Sequence, residues 1–149
     1  MPVGELCIRQ VVVTPRTTPV LELAKLMRKH HVGDIVVTDD SAPRRTPVGI
    51  VTDRDIVLEV LAQDLDAASL SAGDIMSGDL IMVRENEGVF QTIQLMRAKG
   101  ARRAPVVNNE GVLVGIVSVD DLVELLAEEL SQLAKLIARE QKLEAALRR

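Results

Sequence analysis

Two positions in this chain set a hydroxyl three residues ahead of a carboxylate: Thr52 with Asp55, and Ser118 with Asp121. Each pair closes a Gly-Ile-Val run, in "VGIVTDRDIV" (residues 48–57) and "VGIVSVDDLV" (residues 114–123), and six of the ten positions are identical. Two chemistries fit. In a capping box the hydroxyl accepts from a backbone N–H at the start of a helix, and the acid reaches back to the capping residue. In a ligand site the same helix start offers unpaired N–H groups and partial positive charge to a phosphate beside Thr52 or Ser118. The acceptor-only carboxylates of Asp55 and Asp121 would then match the two donors of a ribose diol. A base could slide between aliphatic side chains of the neighbouring strands. Its polar edge would meet backbone groups of "DIVV" (Asp34, Ile35, Val36) or of "RAPVV" (Arg103, Ala104, Pro105).

The elements that must hold these residues repeat along with them. A shift of 69 residues pairs Gly4 with Gly73, Val20 with Val89, Leu26–Arg28 with Leu95–Arg97, and Val37 with Val106. After Asp40 the shift falls to 66, because the loop "SAPRRTP" is three residues longer than its counterpart, a change that loops tolerate. In the first copy, Thr17 or Thr18 as N-cap, Pro19 in the first turn, and Val20, Leu23, Ala24 and Met27 at helical spacing predict a helix running toward Gly33. "DIVVT" and "PVGIV" read as strands, and Asp53 opens a second helix to about Leu61. The second copy predicts a helix over 89–99, strands "APVV" and "LVGIV", and a helix from about Val119. The fold class is therefore α/β, built from two tandem β-α-β-β-α repeats over 4–61 and 73–127, joined by 62–72 and followed by a helical extension over 128–149. A unit of about sixty residues buries little surface alone, so the copies should pack face to face.

"VVTP" or "IMVRE", then the "LMR" helix, then "APVV" and "GIVSVDD" occur in one order, twice. In this the chain resembles a tandem pair of CBS domains, the cystathionine-β-synthase type, over residues 4 to about 127. The resemblance implies a pseudo-twofold regulatory module with two clefts between the repeats, for adenosine-containing ligands: AMP, ADP, ATP, S-adenosylmethionine or NAD. It implies no tightly bound cofactor. By position, Thr52 and Asp55 become the phosphate-side hydroxyl and the ribose acid of one cleft, and Ser118 and Asp121 those of the other. Thr14 matches the family's polar residue ahead of the first helix, where the second repeat has Val83 followed by Arg84. Arg54 adds a cation to the first cleft while the second repeat has Asp120, so phosphate should prefer the first. Arg102 and Arg103 could serve either cleft or form a solvated surface pair.

Composition narrows the field further. Of 149 residues 47% are hydrophobic, the net charge is −4 and Phe90 is the single aromatic. A nucleic-acid binder would show a basic face, and one for single strands would add stacking rings, so neither is expected. The start of the sequence lacks a basic segment followed by an apolar run, and no apolar stretch reaches spanning length; a cytoplasmic protein off the membrane is the expectation. Cys7 aligns with Met76 and reads as packing rather than redox chemistry. His30 and His31 read as helix-end cations, and Asp39–Asp40 and Asp120–Asp121 lack metal-loop spacing. No catalytic or metal-binding residue is assigned, and no enzyme is expected.

From Val119 to Arg149 there is neither Gly nor Pro, and a helix of that length reaches about 45 Å. Leu122, Leu126, Leu133, Leu136, Leu143 and Leu147 follow steps of three and four, with Glu129 and Glu140 in the seam. This coiled-coil-like pattern predicts a homodimer; folding back onto its own domain and a foreign partner helix are the alternatives. The functional expectation is a sensor of an adenine nucleotide that relays its bound state to a regulated protein, against an oligomeric adaptor with no nucleotide ligand.

Overall fold

The computed structural model describes residues 1–39 and 45–148. Most of the loop "SAPRRTP", together with Asp40, lies outside the described residues. The first half contains α1 (Val3–Leu6), β1 (Val13–Thr14), α2 (Val20–His30), β2 (Asp34–Asp39), β3 (Thr46–Thr52) and α3 (Asp53–Ile56), which runs on as a π-helical stretch over Val57–Leu61. The second half contains α4 (Ala72–Ile75), β4 (Val83–Arg84), α5 (Val89–Lys99), β5 (Arg103–Val107), β6 (Leu113–Ser118) and α6 (Val119–Leu147).

The repeat in sequence is a repeat in pairing. One sheet has the order β1-β2-β3 and the other β4-β5-β6, each with a parallel first pair and an antiparallel second pair. Register sets Asp34 opposite Thr52 and, in the same place of the other sheet, Arg103 opposite Ser118. In β2 the run Ile35, Val36 and Val37 is buried throughout, as expected of a strand covered on both faces. One side packs with Leu23 and Met27 of α2; the other side places Val36 against Leu113, Ile116 and Ile50, where the repeats meet. A larger cluster around Val83, Met96, Val106 and Val117 is the core of the second half.

The short lead helices cross between the halves. Val3 and Gly4 donate to Glu87 O (2.7 Å) and Glu85 O (2.8 Å), and Val3 and Cys7 are buried in the second-half core. In the matching arrangement, Ala72 and Gly73 donate to Thr18 O (2.8 Å) and Arg16 O (2.9 Å), and Ala72 is buried in the first-half core. Ile8 bridges to Ile116, and Ser77 bridges to Ile50. Each half is thus completed by the segment that precedes the other. Both glycines of the repeated "VGIV" follow from this crossing: a Cβ on Gly49 would stand 2.5 Å from Met76 Sδ, and one on Gly115 would stand 2.6 Å from Cys7 Sγ.

Three local expectations change. Helix α2 starts at Val20 with Pro19 as N-cap rather than Thr17 or Thr18, because Pro19 is held extended in a bridge to Ser71. That helix ends at His30, where His31 turns left-handed (φ 54) and Val32 N donates back to Met27 O at 3.2 Å. The helix expected over 53–61 is α-helical for one turn only; Ala62 N then donates to Val57 O, five residues back. Helix α5 spans the residues expected from the sequence.

Candidate functional site

At the end of β3 the chain turns into α3, and the capping box forms. Asp55 N donates to Thr52 Oγ1 at 3.1 Å and Thr52 N donates to Asp55 Oδ2 at 2.9 Å. Ser118 and Asp121 repeat it at the start of α6, with Asp121 N to Ser118 Oγ at 3.2 Å and Ser118 N to Asp121 Oδ2 at 3.0 Å. The two boxes differ in one proton. Ser118 Oγ also donates to Asp121 Oδ2 at 2.9 Å, which commits its hydroxyl, whereas among the described residues Thr52 Oγ1 only accepts. The Thr52 O–H therefore stays available to a further acceptor.

Thr52 opens onto a cleft of about 270 Å³ between the repeats. One wall comes from the β3–α3 junction, with Ile50, Thr52, Asp53 and Arg54; the other comes from the second half, with Ile81 and Arg102 among its residues. Ile50, Leu80, Ile81 and Ala101 make an apolar floor, and Arg54, Arg102 and Arg103 bring cations to it beside Asp53 and Asp79. Arg103 is engaged by Asp34 at 2.6 Å, and Arg102 lies 3.8 Å from Asp120. Burial raises the pKa of Asp34; Arg103 opposes that rise, and Asp53 and Asp121 add to it. The Cys7 thiol is likewise raised, first by burial.

The structure brings four of the expected residues into this cleft: Thr52, Arg54, Arg102 and Arg103. Asp34 reaches it through its ion pair with Arg103. Asp55 lines an adjoining hollow of about 360 Å³ with Glu59 and Asp74, which shares Ser77 with the cleft. Thr14, Ile35, Val36, Ala104 and Pro105 are buried within the strands. On the far side of the repeats a second hollow, about 570 Å³, is lined by residues at pseudo-equivalent positions: Gln10 for Asp79, Val11 for Leu80, Val12 for Ile81 and Val32 for Ala101. Ser118 and Asp121 are not part of its wall.

Sequence reasoning missed Ser77, Asp79 and Ile81, which belong to the segment crossing between halves; the shared 69-residue shift of Ile8 and Ser77 was the signal. A separate apolar groove of about 320 Å³ runs between α5 and the base of α6, with Ile93, Met96, Leu122 and Val123 in its wall, and shares Ala101 and Arg102 with the cleft.

The CBS domain family model matches residues 3–62 and 72–128. The chain belongs to the CBS domain family. Among its relatives, an uncharacterized protein of Methanopyrus kandleri is 37% identical over 123 residues, which is 83% of this chain and 61% of the relative. The chain thus spans less than two thirds of that protein. Among solved structures, a CBS domain protein from Pyrobaculum aerophilum complexed with AMP is 35% identical with a TM-score of 0.73, covering 81% of this chain and 89% of that one. A hexameric CBS-CP12 protein from bloom-forming cyanobacteria is 29% identical with a TM-score of 0.73, covering 83% of this chain and 69% of that one. CBS pairs are regulatory ligand-binding modules, and both three-stranded sheets and the pair arrangement here are those of the family. Among the described residues no helix is long and apolar enough to cross a membrane.

Proposed function

We propose that this CBS pair binds an adenine nucleotide, of the AMP, ADP or ATP class, in the cleft between Thr52 and Arg102 and relays its bound state to a partner. The observation that carries the reading is the uncommitted Thr52 hydroxyl at a helix start, on the same wall as Arg54 and facing Arg102 across an apolar floor. The hydroxyl and the two guanidiniums would hold phosphate, since the first N–H groups of α3 are taken by Gly33 O, Asp53 Oδ1 and Thr52 Oγ1, and the floor of Ile50, Leu80 and Ile81 would take the base. Asp55 would take the ribose diol from the rim at Ser77 through Oδ1, since the capping box uses Oδ2. The AMP complex of the Pyrobaculum aerophilum relative supports the ligand class.

A route for the relay is present in Ala101 and Arg102, which belong to the walls of both the cleft and the α5–α6 groove. Phosphate that draws Arg102 away from Asp120 would reshape the groove, and a ligand shifts that balance only by its preference for one arrangement. Self-association as a homodimer through α6 is part of this reading.

Thermal unfolding with AMP, ADP, ATP, S-adenosylmethionine and NAD is the test. A ligand at about 100 times its dissociation constant adds roughly 2.7 kcal/mol, a rise of several degrees for a chain of this length. Thr52→Val, Arg54→Ala and Asp55→Ala are expected to lose the shift while Ser118→Ala keeps it. No shift with any of the five would leave an adaptor working through α6, a reading that the exposed leucines of that helix favour.

A further inference from the structure

From its base at the domain outward, α6 keeps exposed large apolar residues to one side, and among the described residues nothing covers them. Val123, Leu126, Leu130, Leu133, Ile137 and Leu147 are each at least 42% exposed, and Leu136 and Leu143, also exposed, flank their row. They recur at steps of three and four, apart from the seam position held by Glu140 and the neighbouring Glu144, and so form one stripe about 36 Å long. The stripe begins inside the α5–α6 groove, whose wall includes Val123 and Leu126. An apolar surface of this extent, broken at Glu140 and Glu144, marks an association site.

Charge identifies the occupant. Between 119 and 134 the helix carries Asp120, Asp121, Glu124, Glu128 and Glu129 and no cation; between 135 and 148 it carries Lys135, Arg139, Lys142 and Arg148 against Glu140 and Glu144. A second copy laid parallel would set acidic half on acidic half. Laid antiparallel, it sets each acidic half on a basic half and opposes the two helix dipoles favourably. We propose that two copies of this chain associate through antiparallel α6 helices, with the tip of each seated at the other's α5–α6 groove. Leu133 of one copy then lies beside Ile137 of the other, and Val123 beside Leu147, in a self-complementary twofold interface. The proposal deepens the homodimer part of the proposed function and is independent of its nucleotide part.

Light scattering on the full chain and spin-label distances from Ala145→Cys, an exposed position, test it together. The proposal expects a dimer whose labels lie about 30 Å apart along the axis, because residue 145 of one copy faces the twentieth residue before it on the other. It also expects dissociation to increase as salt screens the attraction between opposite halves. Leu133→Asp, on the exposed stripe, should give a monomer with an unchanged unfolding temperature for the domain. A monomeric wild-type chain overturns both the homodimer and this arrangement. A dimer with labels within about 15 Å, or one strengthened by salt, keeps the homodimer and overturns the antiparallel pairing.

Discussion

Asp34 and Arg103 hold the same position in the two repeats, 69 residues apart, and meet each other at 2.6 Å across the junction between them. Each opens a middle strand, and each lies opposite the hydroxyl residue that caps the helix of its own repeat. One position therefore carries opposite charges in the two copies, and the pair ties the copies together beside the cleft. A duplicated sequence with identical residues there would instead set like charges against each other.

Removing one partner leaves the other charge largely shielded from water, with side-chain exposures of 19% for Asp34 and 29% for Arg103. Arg103→Ala should lower stability by about 2 kcal/mol, below the full cost of breaking a deeply buried pair because solvent still reaches this one. The double variant Asp34→Asn/Arg103→Ala, set beside Asp34→Asn alone, should recover most of it. Urea unfolding of the four proteins as a double-mutant cycle measures the coupling; a coupling near zero would mean that solvent screens the pair.

The raised pKa of Asp34 predicts a slope in stability with pH. Burial holds its folded pKa above the ordinary aspartate value of 3.8, so the proton is held more tightly in the folded chain. The associated stability is complete below about 3.8 and is lost as pH rises through the folded pKa. The groups facing it are Arg103, Asp53 and Asp121. In Asp34→Asn this downward component from about pH 4 upward should vanish from the unfolding temperature profile, and an unchanged profile would assign the slope to other carboxylates.

Gly49→Ala and Gly115→Ala should differ although their positions are equivalent. The three atoms nearest a new Cβ at 49 all belong to the Met76 side chain, which can turn, whereas at 115 the Cβ also lies 2.9 Å from Ile8 O. Overpacking of this kind costs about 1–3 kcal/mol, with Gly115→Ala at the upper end. Equal losses in chemical denaturation would argue that the N-terminal lead segment detaches as readily as a side chain turns.

His31 sits where the second repeat has Gly100, and both are left-handed, with φ 54 and 65. His31→Gly should therefore stabilise by up to about 1 kcal/mol, since a non-glycine residue is strained there. Gly100→Ala should destabilise by a similar amount. Calorimetry of both variants reads the two signs, and a destabilising His31→Gly would show that the side chain makes up for its backbone.

Much of this architecture was legible in the sequence because it is local. The spacing of Val89, Thr92 and Met96 produced the buried side of α5, the β-branched apolar run "LVGIV" produced β6, and the absence of Gly and Pro after Val119 produced the long α6. The 69-residue shift revealed two copies, and Thr/Ser-x-x-Asp located both helix starts. What tertiary structure alone decided is long-range. Hydrogen bonds from residues 3 and 4 to residues 85 and 87 complete the second half with the first segment of the chain, a pairing that no local periodicity encodes. The same packing buries Thr14, Ile35 and Val36, brings Ser77 and Asp79 into the cleft, and joins Asp34 to Arg103. It also separates two nearly identical motifs by a single contact: Ser118 Oγ donates to Asp121, whereas among the described residues Thr52 Oγ1 only accepts. Residue type fixes which groups a chain can offer, but which of them remain unsatisfied depends on the neighbours that folding supplies.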